Sequence, residues 1–125
     1  MPEFPSAEWA NEVVRAANDD PQFARLARHA HATVLFEFGD QSVAFALDDG
    51  TVESREPSDF AGWDVALRAP METWEKYLSE SPEPFYNDLR SVWTQHDMTI
   101  EGDVVTAFQY WATLKRLVAN FEVAR

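Results

Sequence analysis

Apolar residues in this chain recur at helical spacing, then at every second position, then at helical spacing again. Trp9, Ala10, Val13, Val14 and Ala17 share one helical face that ends at Asn18, and Ser6 stands where an N-cap belongs. A second helix opens at Asp20-Pro21, a cap followed by a proline whose missing N–H costs nothing in a first turn. Its apolar face is Phe23, Leu26, Ala27 and Ala30. From Thr33 the period becomes two. Val34, Phe36 and Phe38 alternate with Thr33, Leu35 and Glu37, and "FGDQ" supplies a turn. Val43, Phe45 and Leu47 then alternate with Ser42, Ala44 and Ala46.

Asp49-Gly50 is a strong hairpin signal and leads into a brief third strand, Thr51 to Arg55. After the loop "EPSDFAG", Trp63 to Arg68 reads as a fourth strand with Val65 and Leu67 inward, completing a four-stranded meander. Pro70 opens a helix carrying Met71, Trp74 and Leu78 in register, and "SPEP" breaks it. Phe85, Leu89, Val92 and Trp93 repeat at helical spacing to about Gln95. Met98 to Glu101 is a short fifth strand, and Asp103 caps a final helix. No internal repeat or linker interrupts the 125 residues, which predict one domain over 1–125. The predicted class is α+β: a five-stranded, largely antiparallel sheet with helices on one face.

The final helix is the least ordinary element. Ala107, Trp111, Leu114, Val118 and Phe121 form a continuous stripe, flanked by Val104 and Phe108 on one side and Tyr110 and Leu117 on the other. Gln109, Thr113, Arg116 and Asn120 are expected on the opposite, solvent-facing side. Such a run of rings serves equally as core, as a face that docks a partner or second copy, or as one wall of an apolar pocket.

Composition narrows the function. Five Trp and nine Phe are many for a small domain. The net charge of -12, from 22 acidic and 10 basic residues, repels phosphate backbones and anionic bilayers, which argues against nucleic-acid partners. With no cysteine, disulfides, thiolate metal sites and a cysteine nucleophile are excluded. Nothing reads as a secretory signal or a membrane span, so a cytoplasmic protein without stable membrane insertion is expected. Four glycines do not build a phosphate loop, and no cofactor is expected. "HAH" offers His29 and His31 as a metal pair without a third ligand, so no metal is expected.

The succession "VLFEFGDQSVAFALDDGTVE", "DVALRAPMETWEKYL" and "MTIEGDVVTAF" resembles the sterol carrier protein 2-like sterol-binding domain family, over roughly residues 30–121. The ordered set carries the resemblance, not any one motif. It implies a five-stranded sheet whose helices enclose a hydrophobic tunnel for lipids, sterols or fatty acyl chains, with the terminal helix as one wall. Phe36, Phe45, Leu47, Trp74, Leu89, Trp93, Phe108, Trp111 and Leu114 would line it, and Tyr86, Tyr110 or His96 would orient a ligand's polar end. The chain departs from the family in "PFYNDLRSVWTQHDMTIEGD", which is longer and bears Trp93, His96 and Asp97. Bulky rings would narrow a sterol-sized tunnel, so an acyl chain or a smaller, flatter molecule fits as well.

That departure also opens a second function: a small cofactor-free isomerase or lyase acting on a hydrophobic carbonyl or aromatic compound. His96 would be its base, with Asp97 or a tyrosine as partner. A third is a protein-interaction module, such as a homodimer, docking through the ringed helix.

Overall fold

The computed structural model describes residues 4–56, 62–79 and 88–124. Helix α1 (Ala7–Asn18) starts at Ser6, whose hydroxyl oxygen accepts the Trp9 N–H at 3.1 Å. Helix α2 (Pro21–Leu26) starts at Asp20, whose carboxylate accepts the Gln22 N–H at 3.1 Å. It stops earlier than its apolar spacing suggested. His29 adopts a left-handed φ of 69°, and the N–H groups of Ala30 and Gly50 both close on the Ala27 carbonyl.

Strands β1 (His31–Phe38), β2 (Gln41–Asp48) and β3 (Thr51–Arg55) form an antiparallel meander. At the β2–β3 turn, Asp49 and Gly50 both have positive φ, 46° and 94°, as a two-residue hairpin following the strand twist requires. The exposed edge of β3 is partly closed by Asn18, whose amide bonds both the N–H and the carbonyl of Val52 at 3.0 Å.

The fourth strand corrects the meander. Strand β4 (Val65–Ala69) does not follow β3; it crosses over and pairs in parallel with β1. Strand β5 (Thr99–Gly102) adds antiparallel to β4, giving the order β3-β2-β1-β4-β5. Alternation specifies which side of a strand is buried but not which strand lies beside it. The register sets Val65 beside Val34 and Leu67 beside Phe36, so both buried pairs face the helices. The predicted α+β class holds: five strands, mostly antiparallel, packed with helices.

Helix α3 (Met71–Tyr77), helix α4 (Leu89–Gln95), helix α5 (Val104–Gln109) and helix α6 (Trp111–Ala124) complete the described structure. Trp9, Phe36, Phe38, Phe45, Trp74 and Phe121 are fully buried, with neighbouring ring centroids 4.9–6.5 Å apart and mostly edge to face. On the opposite side of the sheet, Leu35, Ala44 and Ala66 form a smaller buried cluster under Trp63. Arg68 lies 5.4 Å from the Trp63 ring and pairs with Glu37 and Glu101, which hold its pKa above the ordinary value, Glu101 most strongly.

The terminal helix differs from the single continuous element expected. It is interrupted at Tyr110 (φ −105°, ψ 22°), where α5 ends and α6 begins. Thr113 and Asn120, expected on the solvent side, are buried because α2 packs there. The Thr113 hydroxyl donates to the Leu26 carbonyl at 2.8 Å, and the Asn120 amide donates to Asp20 at 3.1 Å. Arg116 adds two bonds to the same carboxylate at 2.6 and 3.2 Å. Among the described residues no helix is long and apolar enough to cross a membrane.

Candidate ligand-binding site

The site is set by how the chain leaves β5. Gly102 has a φ of 89°, and a Cβ there would stand 2.5 Å from the Asp64 carbonyl oxygen and 2.7 Å from the Trp63 ring. Only glycine fits both the dihedral and the space. The next residue ties the same point down: the Asp103 N–H donates to the Asp64 carbonyl at 2.7 Å. The Asp103 carboxylate then caps α5, accepting the Thr106 hydroxyl at 2.7 Å and the Thr106 N–H at 3.1 Å. These two bonds, the hydroxyl first, hold its pKa below the usual carboxylate value. The "I-GD" run is therefore a mechanical joint that fixes where α5 departs.

From that joint α5 projects with only Ala107 buried, whereas Val104 is 41%, Val105 76% and Phe108 50% exposed. Among the described residues these are the exposed large hydrophobic side chains. Just after the break at Tyr110, Trp111 lies against Trp93 of α4. Trp93, Phe108 and Trp111 consequently form a triangle with centroid separations of 5.4, 6.0 and 6.0 Å. Leu89 and Val92 of α4, Ala107 of α5 and Leu114 of α6 are buried, and Trp93 and Trp111 pack half-buried against that core.

The predicted site residues thus divide. Leu89, Trp93, Phe108, Trp111 and Leu114 belong to the α4–α5–α6 end, with Tyr110 half-buried at the break. Phe36, Phe45, Leu47 and Trp74 lie in the core, and the first, second and fourth of these are ring-to-ring within it. Trp74 further donates its indole N–H to the Glu37 carbonyl at 2.8 Å. Tyr86 lies outside the described residues, as does Phe85. His96 ends α4, half-buried, with its N–H on the Val92 carbonyl at 3.0 Å, and Asp97 beside it is exposed.

His31 and His29 sit 3.2 and 3.8 Å from the hairpin carboxylates of Asp48 and Asp49, and the described residues hold no cluster able to bind a metal. Asp49 is held below the usual carboxylate range, chiefly because it accepts the His29 backbone N–H. Two open grooves of about 420 Å³ each lie elsewhere, one beside α1 and β3, the other between α2 and α6. Sequence reasoning missed Val105. At about 100° per residue Val105 stands nearly opposite Ala107, an apolar side chain on the face away from the stripe, and that was the available signal.

No family model matches the sequence, and no curated protein does. Solved structures do. A crystal structure of sterol carrier protein 2 superposes with a TM-score of 0.71 at 19% identity, covering 96% of this chain and 98% of its own. The fold is that of sterol carrier protein 2. A conserved hypothetical protein from Thermus thermophilus, described as a candidate sterol carrier protein, gives a TM-score of 0.74 at 17% identity over 98% of this chain and 90% of its own. A ubiquinone synthesis protein, UbiJ-SCP2, gives 0.59 at 15% identity over 99% and 95%. At these identities the likeness is one of fold. It extends to the two N-terminal helices, beyond the span over which the sequence alone showed the resemblance.

Proposed function

We propose that the protein binds or transfers a hydrophobic small molecule of lipid, fatty acyl or sterol-like character. The ligand would lie in an apolar tunnel at the α4–α5–α6 end, with Trp93, Phe108 and Trp111 at its mouth and Leu89 and Leu114 within. The observation that carries this reading is the position of the triad. Three large rings that touch one another are left partly open where α4 meets the terminal helix of a sterol carrier protein 2 fold, beside a core of fully buried rings. The ring contacts among Phe36, Phe38, Phe45 and Trp74 leave no width for a guest between them, so the tunnel is assigned to the other end.

Burial of about sixteen methylenes contributes roughly 13 kcal/mol, and an association cost of about 5 kcal/mol in a preformed site leaves a complex near micromolar. Titration with a conjugated, naturally fluorescent fatty acid tests it. Emission from Trp93 and Trp111 should be quenched, with energy transfer to the acid at low micromolar concentration. Absence of both signals would refute the reading.

The second reading is a small cofactor-free isomerase or lyase using the same pocket. It is favoured by His96, which ends α4 one helical turn beyond Trp93.

A further inference from the structure

The exposed valines of α5 are not needed to line a pocket. Val105 is 76% exposed, Val104 is 41% exposed, and both precede Phe108 on one short, outward-standing helix. We propose that α5 is a docking tip for an electrically neutral lipid surface. Val104, Val105 and Phe108 would enter the acyl boundary, while Trp93 and Trp111 lie at headgroup level. The inference names the surface that supplies the ligand of the proposed function, and only that purpose rests on the earlier reading. The docking itself rests on the tip.

Three observations choose this occupant. The first is charge. From Asp97 to Leu114 the chain has no lysine or arginine, while Asp97, Glu101 and Asp103 are all exposed, so the tip is rimmed by carboxylates. Of the cations on the flanking elements, Arg68 is paired with Glu37 and Glu101 and Lys115 with Asp88, so the exposed Arg90 of α4 is a single positive charge set against those carboxylates. An acidic rim on a chain of net charge -12 is repelled by anionic headgroups and tolerated by zwitterionic ones. The second is area. Exposures of 41%, 76% and 50% on two valines and a phenylalanine leave roughly 300 Å² of apolar side chain. A stable dimer needs about 800 Å² from each partner, whereas a small apolar helix face suffices to enter the headgroup/acyl boundary of a bilayer. The third is continuity: Phe108 belongs both to the tip and to the ring triangle, so an acyl chain leaving the boundary at α5 meets the rings directly.

The test uses the full chain with sedimenting vesicles of pure phosphatidylcholine, and with vesicles in which a third of the lipid is phosphatidylserine. The unsubstituted protein should partition onto the neutral vesicles and at least threefold less onto the anionic ones at low salt. Val105→Asp should weaken neutral-vesicle partition at least tenfold, and Val105→Leu should keep it. Ligand affinity, read by the fluorescent fatty acid without vesicles, should be unchanged in Val105→Asp, and circular dichroism should match. Three results overturn the proposal: no partition onto phosphatidylcholine, equal partition of Val105→Asp, or tighter binding to anionic vesicles. A concentration-dependent dimer that Val105→Asp dissociates would assign the tip to a second copy instead. Failure to bind the fatty acid, with vesicle partition intact, would sink the ligand reading and leave the docking tip standing.

Discussion

Replacing Gly102 with alanine perturbs the joint between β5 and α5 where it meets Trp63 and Asp64. The new methyl must adopt a φ near 89° and sit 2.5 Å from the Asp64 oxygen and 2.7 Å from the Trp63 ring. Left-handed backbone costs an ordinary residue roughly 1–2 kcal/mol. Overpacking against a carbonyl that also accepts the Asp103 N–H adds roughly 1–3 kcal/mol. Lower entropy in the unfolded chain offsets about 0.4–1 kcal/mol. The expected net loss is about 3 kcal/mol, a large share of the roughly 5–15 kcal/mol of a domain this size. Equilibrium urea unfolding reads it as a lowered midpoint at constant slope. Gly62, where a Cβ meets nothing within 4 Å, is the matched control, and Gly62→Ala should stay within about 0.5 kcal/mol. A Gly102→Ala variant as stable as the Gly62→Ala control would show that the joint is not rigid, and the argument for a fixed α5 would fail with it.

Acid stability depends on Asp20. Hydrogen bonding from Arg116, helped by Asn120 and opposed by partial burial, lowers its pKa from 3.8 to about 2. A depressed carboxylate pKa contributes in full above about pH 4 and is lost as pH falls toward 2. The shift corresponds to at most roughly 2.4 kcal/mol, and the partly exposed Arg116 reduces this to about 1–2 kcal/mol. Asp20→Asn keeps a good N-cap but loses the charge, so it should be less stable than the parent at pH 6 and equal to it near pH 2 by urea unfolding. An unchanged gap between the two pH values would contradict the pairing. His96→Ala separates binder from enzyme: fatty-acid affinity should stay within a few-fold. A 10²–10⁴-fold loss of turnover on a hydrophobic carbonyl compound would favour the isomerase or lyase reading.

Local devices were legible in the sequence because short-range bonds create them. Ser6, Asp20 and Asp103 stand at cap positions in the sequence, and each side chain accepts a first-turn N–H. Asp49-Gly50 predicts a hairpin and has the dihedrals that hairpin needs. What escaped was non-local. Alternation in Val65 and Leu67 is satisfied equally beside β3 or beside β1, so the parallel crossover left no trace. Thr113 and Asn120 looked solvent-facing until α2 supplied a carbonyl and a carboxylate for them to bond. The break at Tyr110 escaped because a helical period carries through it: Leu114 still donates to the Tyr110 carbonyl at 2.9 Å. The rings show the same limit. Phe36 and Phe108 are both in register, yet one is sealed among rings and the other is half exposed, which only packing decides.

Whether the α4–α5–α6 end holds a guest is most directly measured by native mass spectrometry of the protein purified gently from its own host. The expected spectrum contains a species heavier than the bare chain by the mass of one apolar molecule, released by organic solvent and restored by adding a lipid extract. A spectrum of bare chain alone, unchanged after incubation with fatty acids, sterols and isoprenoids, would mean that these side chains pack against one another and nothing else.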